Sequence, residues 1–125
     1  MLDAFLEDMA ATPFVDGQND CALCVADWVM LATGCADPAE HLRGRYATAL
    51  GRERLLRRLG GLEAVMTECA ARAALVETTS PGRGDIGLVT MSGHPLAAIC
   101  LGPHWAAKGA GLVVEPAVVI KAWRV

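Results

Sequence analysis

The sequence predicts an α+β domain, helices first and sheet second. Three observations lead there. Apolar residues recur at helical spacing through the first part of the chain, and short runs rich in Val, Ile and Leu between glycines and prolines fill the second. With 125 residues, 54% hydrophobic and 20% charged, the chain can close one core but is short for two, so one domain over 1–125 is expected and a disordered chain is excluded.

Leu2, Phe5, Leu6 and Met9 share one helical face over residues 2–11, with Asp3, Glu7 and Asp8 elsewhere on the wheel. The segment from Thr12 to Gln18 contains Pro13 and Gly17 and breaks that pattern, after which Asn19 or Asp20 can cap a second helix beginning near Cys21. From Ala22 to Thr33 only Asp27 interrupts an apolar run, so this helix should be packed on most sides, and Gly34 should end it. Asp37-Pro38 suits a short helical turn. Two more helices are expected, from about Thr48 to Leu59 with Leu55, Leu56 and Leu59 inside, and from Leu62 to Ala74, separated by Gly60-Gly61. Strands are expected near Asp85–Met91, Leu96–Leu101, Trp105–Ala107, Gly111–Glu115 and Val118–Val125, close enough in sequence for an antiparallel meander.

Several function classes fall away on composition. No apolar run approaches the roughly 18 residues of a membrane span, and the acidic start, Met-Leu-Asp-Ala-Phe-Leu-Glu-Asp, lacks the positive cap of a secretory signal. Synthesis in the cytoplasm without a signal peptide is therefore expected. A formal net charge of -3 argues against nucleic-acid binding, and the arginines between Arg43 and Arg58 read as a solvated helix face. Five scattered cysteines suit reduced thiols better than a disulfide scaffold. One C-x-x-C pair, Cys21 to Cys24, cannot make a zinc site alone, and the loop before it is unlike the buried strand that precedes a thioredoxin-type pair. No metal or cofactor is expected.

Cys21 is the residue that suggests chemistry. At a helix start, backbone N–H groups and the helix dipole favour thiolate over thiol, which would make it a nucleophile; the plainer alternative is a small buried hydrophobe. The surrounding motif, Pro13-Phe14, Gly17 and Asp20-Cys21 before an apolar helix, resembles the nucleophile segment of the NlpC-like, papain-related cysteine peptidases. Gly84-Asp85-Ile86-Gly87-Leu88-Val89 is similar to that family's Gly-Asp strand entry, and Leu96-Ala97-Ala98-Ile99-Cys100-Leu101-Gly102 to its next strand. Asp37-Pro38, Arg43-Gly44-Arg45-Tyr46 and the closing Ala122-Trp123-Arg124-Val125 resemble, more narrowly, an uncharacterised NlpC-like group encoded in phage, prophage and gene-transfer-agent clusters. The resemblance covers nearly the whole chain.

It implies an NlpC-like fold, Cys21 as nucleophile, and a histidine base opening the strand matched to Leu96–Gly102, where this sequence has Leu96. Leucine cannot shuttle a proton. His94, two residues earlier, would share a face with Leu96 if the strand extends back past Pro95. His104 stands near the family's third, imidazole-orienting position, although strict counting brings Ala107 or Lys108 there. Catalytic candidates are therefore Cys21, His94 and His104. Two functions follow: a virion-tail or tail-assembly component with weak or lost hydrolase activity, its partners phage or tail structural proteins; or an active cysteine peptidase cleaving peptidoglycan stem peptides.

Overall fold

A computed structural model describes residues 1–125. Four helices come first: α1 (Leu2–Ala11), α2 (Cys21–Thr33), α3 (Ala49–Arg58) and α4 (Leu62–Arg72). Six strands follow: β1 (Val76–Glu77), β2 (Ile86–Met91), β3 (His94–Cys100), β4 (Trp105–Lys108), β5 (Leu112–Glu115) and β6 (Val118–Arg124). The α+β class is the expected one, with every strand pair antiparallel. Strand order is β1-β6-β2-β3-β4-β5, so only β2 to β5 form a meander, and β6 returns to lie between β2 and β1.

That return forces the sheet to curl. Only Pro116 and Ala117 separate β5 from β6, allowing the strand ends at most about 11 Å. In a flat sheet β4, β3 and β2 would hold β5 and β6 about 19 Å apart. The curl gives the sheet two buried faces. Ile86, Leu88, Ala97, Ile99 and Trp123 meet Val25, Trp28 and Val29 of α2, whereas Val89, Met91, Ala98, Cys100, Trp105 and Ala122 pack inside the curl. Gly87 belongs inside: a Cβ there would lie 3.0 Å from the Trp105 ring and from the Lys121 carbonyl.

Local chemistry sets the element ends. Asp20 and Thr48 cap α2 and α3 by accepting from Leu23 and Gly51 N–H, and Gly34 ends α2 in the left-handed conformation. Ser92 and Gly93, at φ 52 and 79, close the β2–β3 hairpin in a two-residue turn that needs positive φ at both positions.

At Asp37-Pro38 residues 38–44 form successive turns, with Leu42 and Arg43 N–H donating to the Ala39 carbonyl. Two expectations are corrected. Helix α3 buries no residue: Leu55 and Leu56 are half-buried and Leu59 is exposed, because the helix rests on the surface as one wall of a cleft. The apolar start of β6 is also outside, since Val118, Val119 and Ile120 are exposed and only Ala122 and Trp123 reach the core.

Candidate active site

Cys21 is the first residue of α2, half-buried, and the residue before it does most of the positioning. Asp20 is fully buried; its Oδ1 accepts from Leu23 N–H at 3.0 Å, and its Oδ2 accepts from Gly17 N–H at 3.0 Å and from the Tyr46 hydroxyl at 2.5 Å. Gly17 in turn accepts from Gly44 N–H at 3.0 Å and has φ +81, and a Cβ on it would collide with the Tyr46 carbonyl oxygen. One carboxylate thus ties the loop before the cysteine to the segment that ends at Tyr46.

A second network braces the same helix. Arg43 donates to Asp27 Oδ1 at 2.5 Å and, through Nε, to Asp37 Oδ2 at 2.5 Å, while Asp37 Oδ1 accepts from Ala39 N–H at 2.9 Å. Burial raises both carboxyls. At Asp27 it wins over the single Arg43 contact, so the pKa is raised; at Asp37 the hydrogen bonds from Arg43 and Ala39 win, so it is lowered. Downstream, Asp85 accepts from Gly82 and Val125 N–H, and the Gly84 carbonyl accepts from Trp28 Nε1 at 2.8 Å. The Gly-Asp pair therefore joins the strand entry to α2 and to the closing residues.

The sulfur of Cys21 meets β3. Cys100 directs both its N–H and its carbonyl to the β2 side, so by antiparallel alternation Pro95 and Ala97 direct theirs the other way. Strand β4 does not receive them, since β3 and β4 are in register only at Ile99–Ala106 and Cys100–Trp105. In the gap the Ala97 backbone lies near enough to the Cys21 sulfur to favour its thiolate, and Pro95 stands where no N–H is needed. Strand β3 consequently runs back to His94.

Burial raises the Cys21 pKa above its ordinary value, and the Asp20 carboxylate adds to this; the backbones of Ala97 and Ala22 and the nearby Arg52 lower it without prevailing. The helix-start effect predicted from sequence is therefore outweighed. Burial and then Asp27 push Cys24 up to about 11. All five cysteines are free thiols.

A cleft of about 510 Å³ opens beside Cys21 between α3 and the start of β3, lined among others by Tyr46, Arg52, His94, Leu96 and Lys108. His94 shares this cleft with Cys21, and its side chain lies on the same strand face as Leu96, exposed at the rim. No histidine is among the groups that set the thiol's pKa. His104 is exposed in the turn after β3, its carbonyl accepting from Leu101 N–H, a strand length of about 20 Å from the His94 end. The structure thus brings Cys21 and His94 to one cleft and places His104 elsewhere.

Two residues there carried no role in the sequence reading. Tyr46 holds Asp20, and its hydroxyl pKa is raised by burial and by that carboxylate. Lys108, at the position counted as the family's third residue, is buried, and its ammonium donates to the carbonyls of Met9, at 2.5 Å, and Thr12. Counting along the resemblance reached Lys108, but no local pattern marked it as buried, since all four residues of β4 are.

No curated protein and no solved structure gives a significant match. A family model described as a domain of unknown function (DUF6950) matches residues 1–125, and the chain belongs to that family.

Proposed function

We propose that this chain is an NlpC-like, papain-related domain of a phage or prophage tail, or of its assembly machinery, in which hydrolase activity is weak or lost. One observation carries the reading. Cys21 is held at a helix start against strand β3, as a nucleophile would be, while Leu96 occupies the place where the resemblance expects a base and burial raises the thiol's pKa. Without an imidazole partner the thiol stays protonated at neutral pH and no group returns a proton to a leaving amine. The braced helix start would then serve as a scaffold for contacts with tail proteins.

The test is twofold. Iodoacetamide should alkylate Cys21 at pH 7 no faster than an ordinary exposed thiol, and purified peptidoglycan should release no more product with wild type than with Cys21→Ala. Fast, selective alkylation with cleavage that depends on Cys21 would overturn the reading. It would favour the second one, a cysteine peptidase of stem peptides with His94 as base, which the shared cleft of Cys21 and His94 supports.

A further inference from the structure

One of the two basic side chains that line the cleft, Lys108, lacks a counter-ion. Lys108 is only 4% exposed, yet no carboxylate pairs with it, and two of its three N–H donors go to the carbonyls that end α1. Those carbonyls offset part of the charge through the negative end of the helix dipole. A buried ammonium with no anion beside it is still costly, and it keeps one donor and most of its positive charge. Other buried or half-buried cations of this molecule are differently placed: Arg43 pairs with Asp27 and Asp37, and Arg52 with Asp16.

Lys108 lines the Cys21 cleft, whose volume is that of a small-molecule site and whose wall is otherwise mostly apolar, with Phe14, Leu42, Leu56, Leu62 and Leu96; the one carboxylate on it, Glu53, is exposed on α3 and makes no ion pair with Lys108. We propose that the cleft binds a ligand with an apolar body and a single carboxylate, the carboxylate placed against Lys108. One point charge with one spare donor suits a monoanion. A phosphate dianion would call for a second free cation, and the arginine that lines the cleft, Arg52, is already held by Asp16. The inference rests on reading the Cys21 cleft as the functional site, and it does not require hydrolysis.

The experiment is calorimetric titration of the Cys21→Ala protein with four probes: octanoate, octanamide, N-acetyl-Leu-Ala with a free carboxyl end, and the same dipeptide as its amide. At least one carboxylate should bind about tenfold or more tightly than its amide. Preference for the dipeptide would point to a peptide carboxyl end, and preference for octanoate to a fatty acid. Lys108→Met should abolish the acid-over-amide ratio and Lys108→Arg should retain it. If Lys108→Met does not fold, the ratio in the Cys21→Ala protein, with Lys108→Arg beside it, decides. Equal binding of acid and amide, or no binding by any probe, would overturn the proposal. Peptidoglycan cleavage is read separately with Cys21 in place, so loss of ligand preference and loss of hydrolysis are distinct results.

Discussion

The two sides of the Cys21 cleft are built differently. On the α2 side there are two sets of hydrogen bonds, Asp20 with Gly17, Leu23 and Tyr46, and Arg43 with Asp27 and Asp37. On the β3 side, His94 is exposed at the strand start, Pro95 lacks an N–H, and Leu96 presents hydrocarbon. The backbone around the sulfur is braced on the first side, whereas the second offers an exposed imidazole beside hydrocarbon.

The contrast can be broken from the braced side first. Gly17→Ala puts a methyl group into the Tyr46 carbonyl at a backbone conformation that disfavours any side chain, and should cost more than about 3 kcal/mol in urea unfolding, or prevent folding. Asp20→Ala removes the cap and strands Gly17 N–H and the Tyr46 hydroxyl, an expected loss of about 2–4 kcal/mol by the same measurement. A loss under 1 kcal/mol would show that the network is dispensable.

The bare side can be sharpened instead. Leu96→His installs an imidazole where the resemblance expects one, and should speed alkylation of Cys21 at pH 7 by about tenfold, read by mass spectrometry of labelled peptides. His94→Ala should leave that rate unchanged within about twofold, because no histidine contributes to the thiol's pKa. A collapse of the rate in His94→Ala would instead reveal a working base. In wild type the rate should rise about tenfold per pH unit from pH 7 to 9 without levelling, as the raised thiol pKa requires.

The smallest effect concerns His41, whose pKa is lowered by burial and by Arg72, and whose buried Nδ1 has no hydrogen-bond partner. A histidine with a depressed folded pKa binds fewer protons folded than unfolded, so its contribution is present above the unfolded value of about 6.5 and is lost as pH falls through the folded one. The drop in Tm between pH 7 and 5 should therefore be smaller in His41→Gln than in wild type, by a degree or two.

Much of this was legible beforehand because it is local. Caps, glycines and apolar periodicity placed α1, α2, α3 and α4 within a residue or two, and five of the six strands likewise. The two-residue β1 escaped because its pairing partner, β6, lies far along the chain. The return of β6 beside β2, the exposure of Val118 to Ile120 and the outward position of Leu59 were missed for the same reason, since they depend on how elements assemble rather than on any window of sequence. At the site, the position of Cys21 followed from a capping residue, but its raised pKa did not: the dipole argument is local, and the burial that outweighs it comes from distant segments. Lys108 was passed over because an uncompensated charge is visible only once every carboxylate has been located.

The placement of β6 also bears on how the protein is made. Its residues pair with β2 on one side and β1 on the other, so the sheet stays split until the last strand arrives. A nascent chain can assemble the helices and the β2–β5 meander on the ribosome, yet it must keep the open flank of β2 away from other strands until residues 118–124 emerge. Emergence of residues 118–124, rather than synthesis of the cysteine loop, is then the event that completes the sheet.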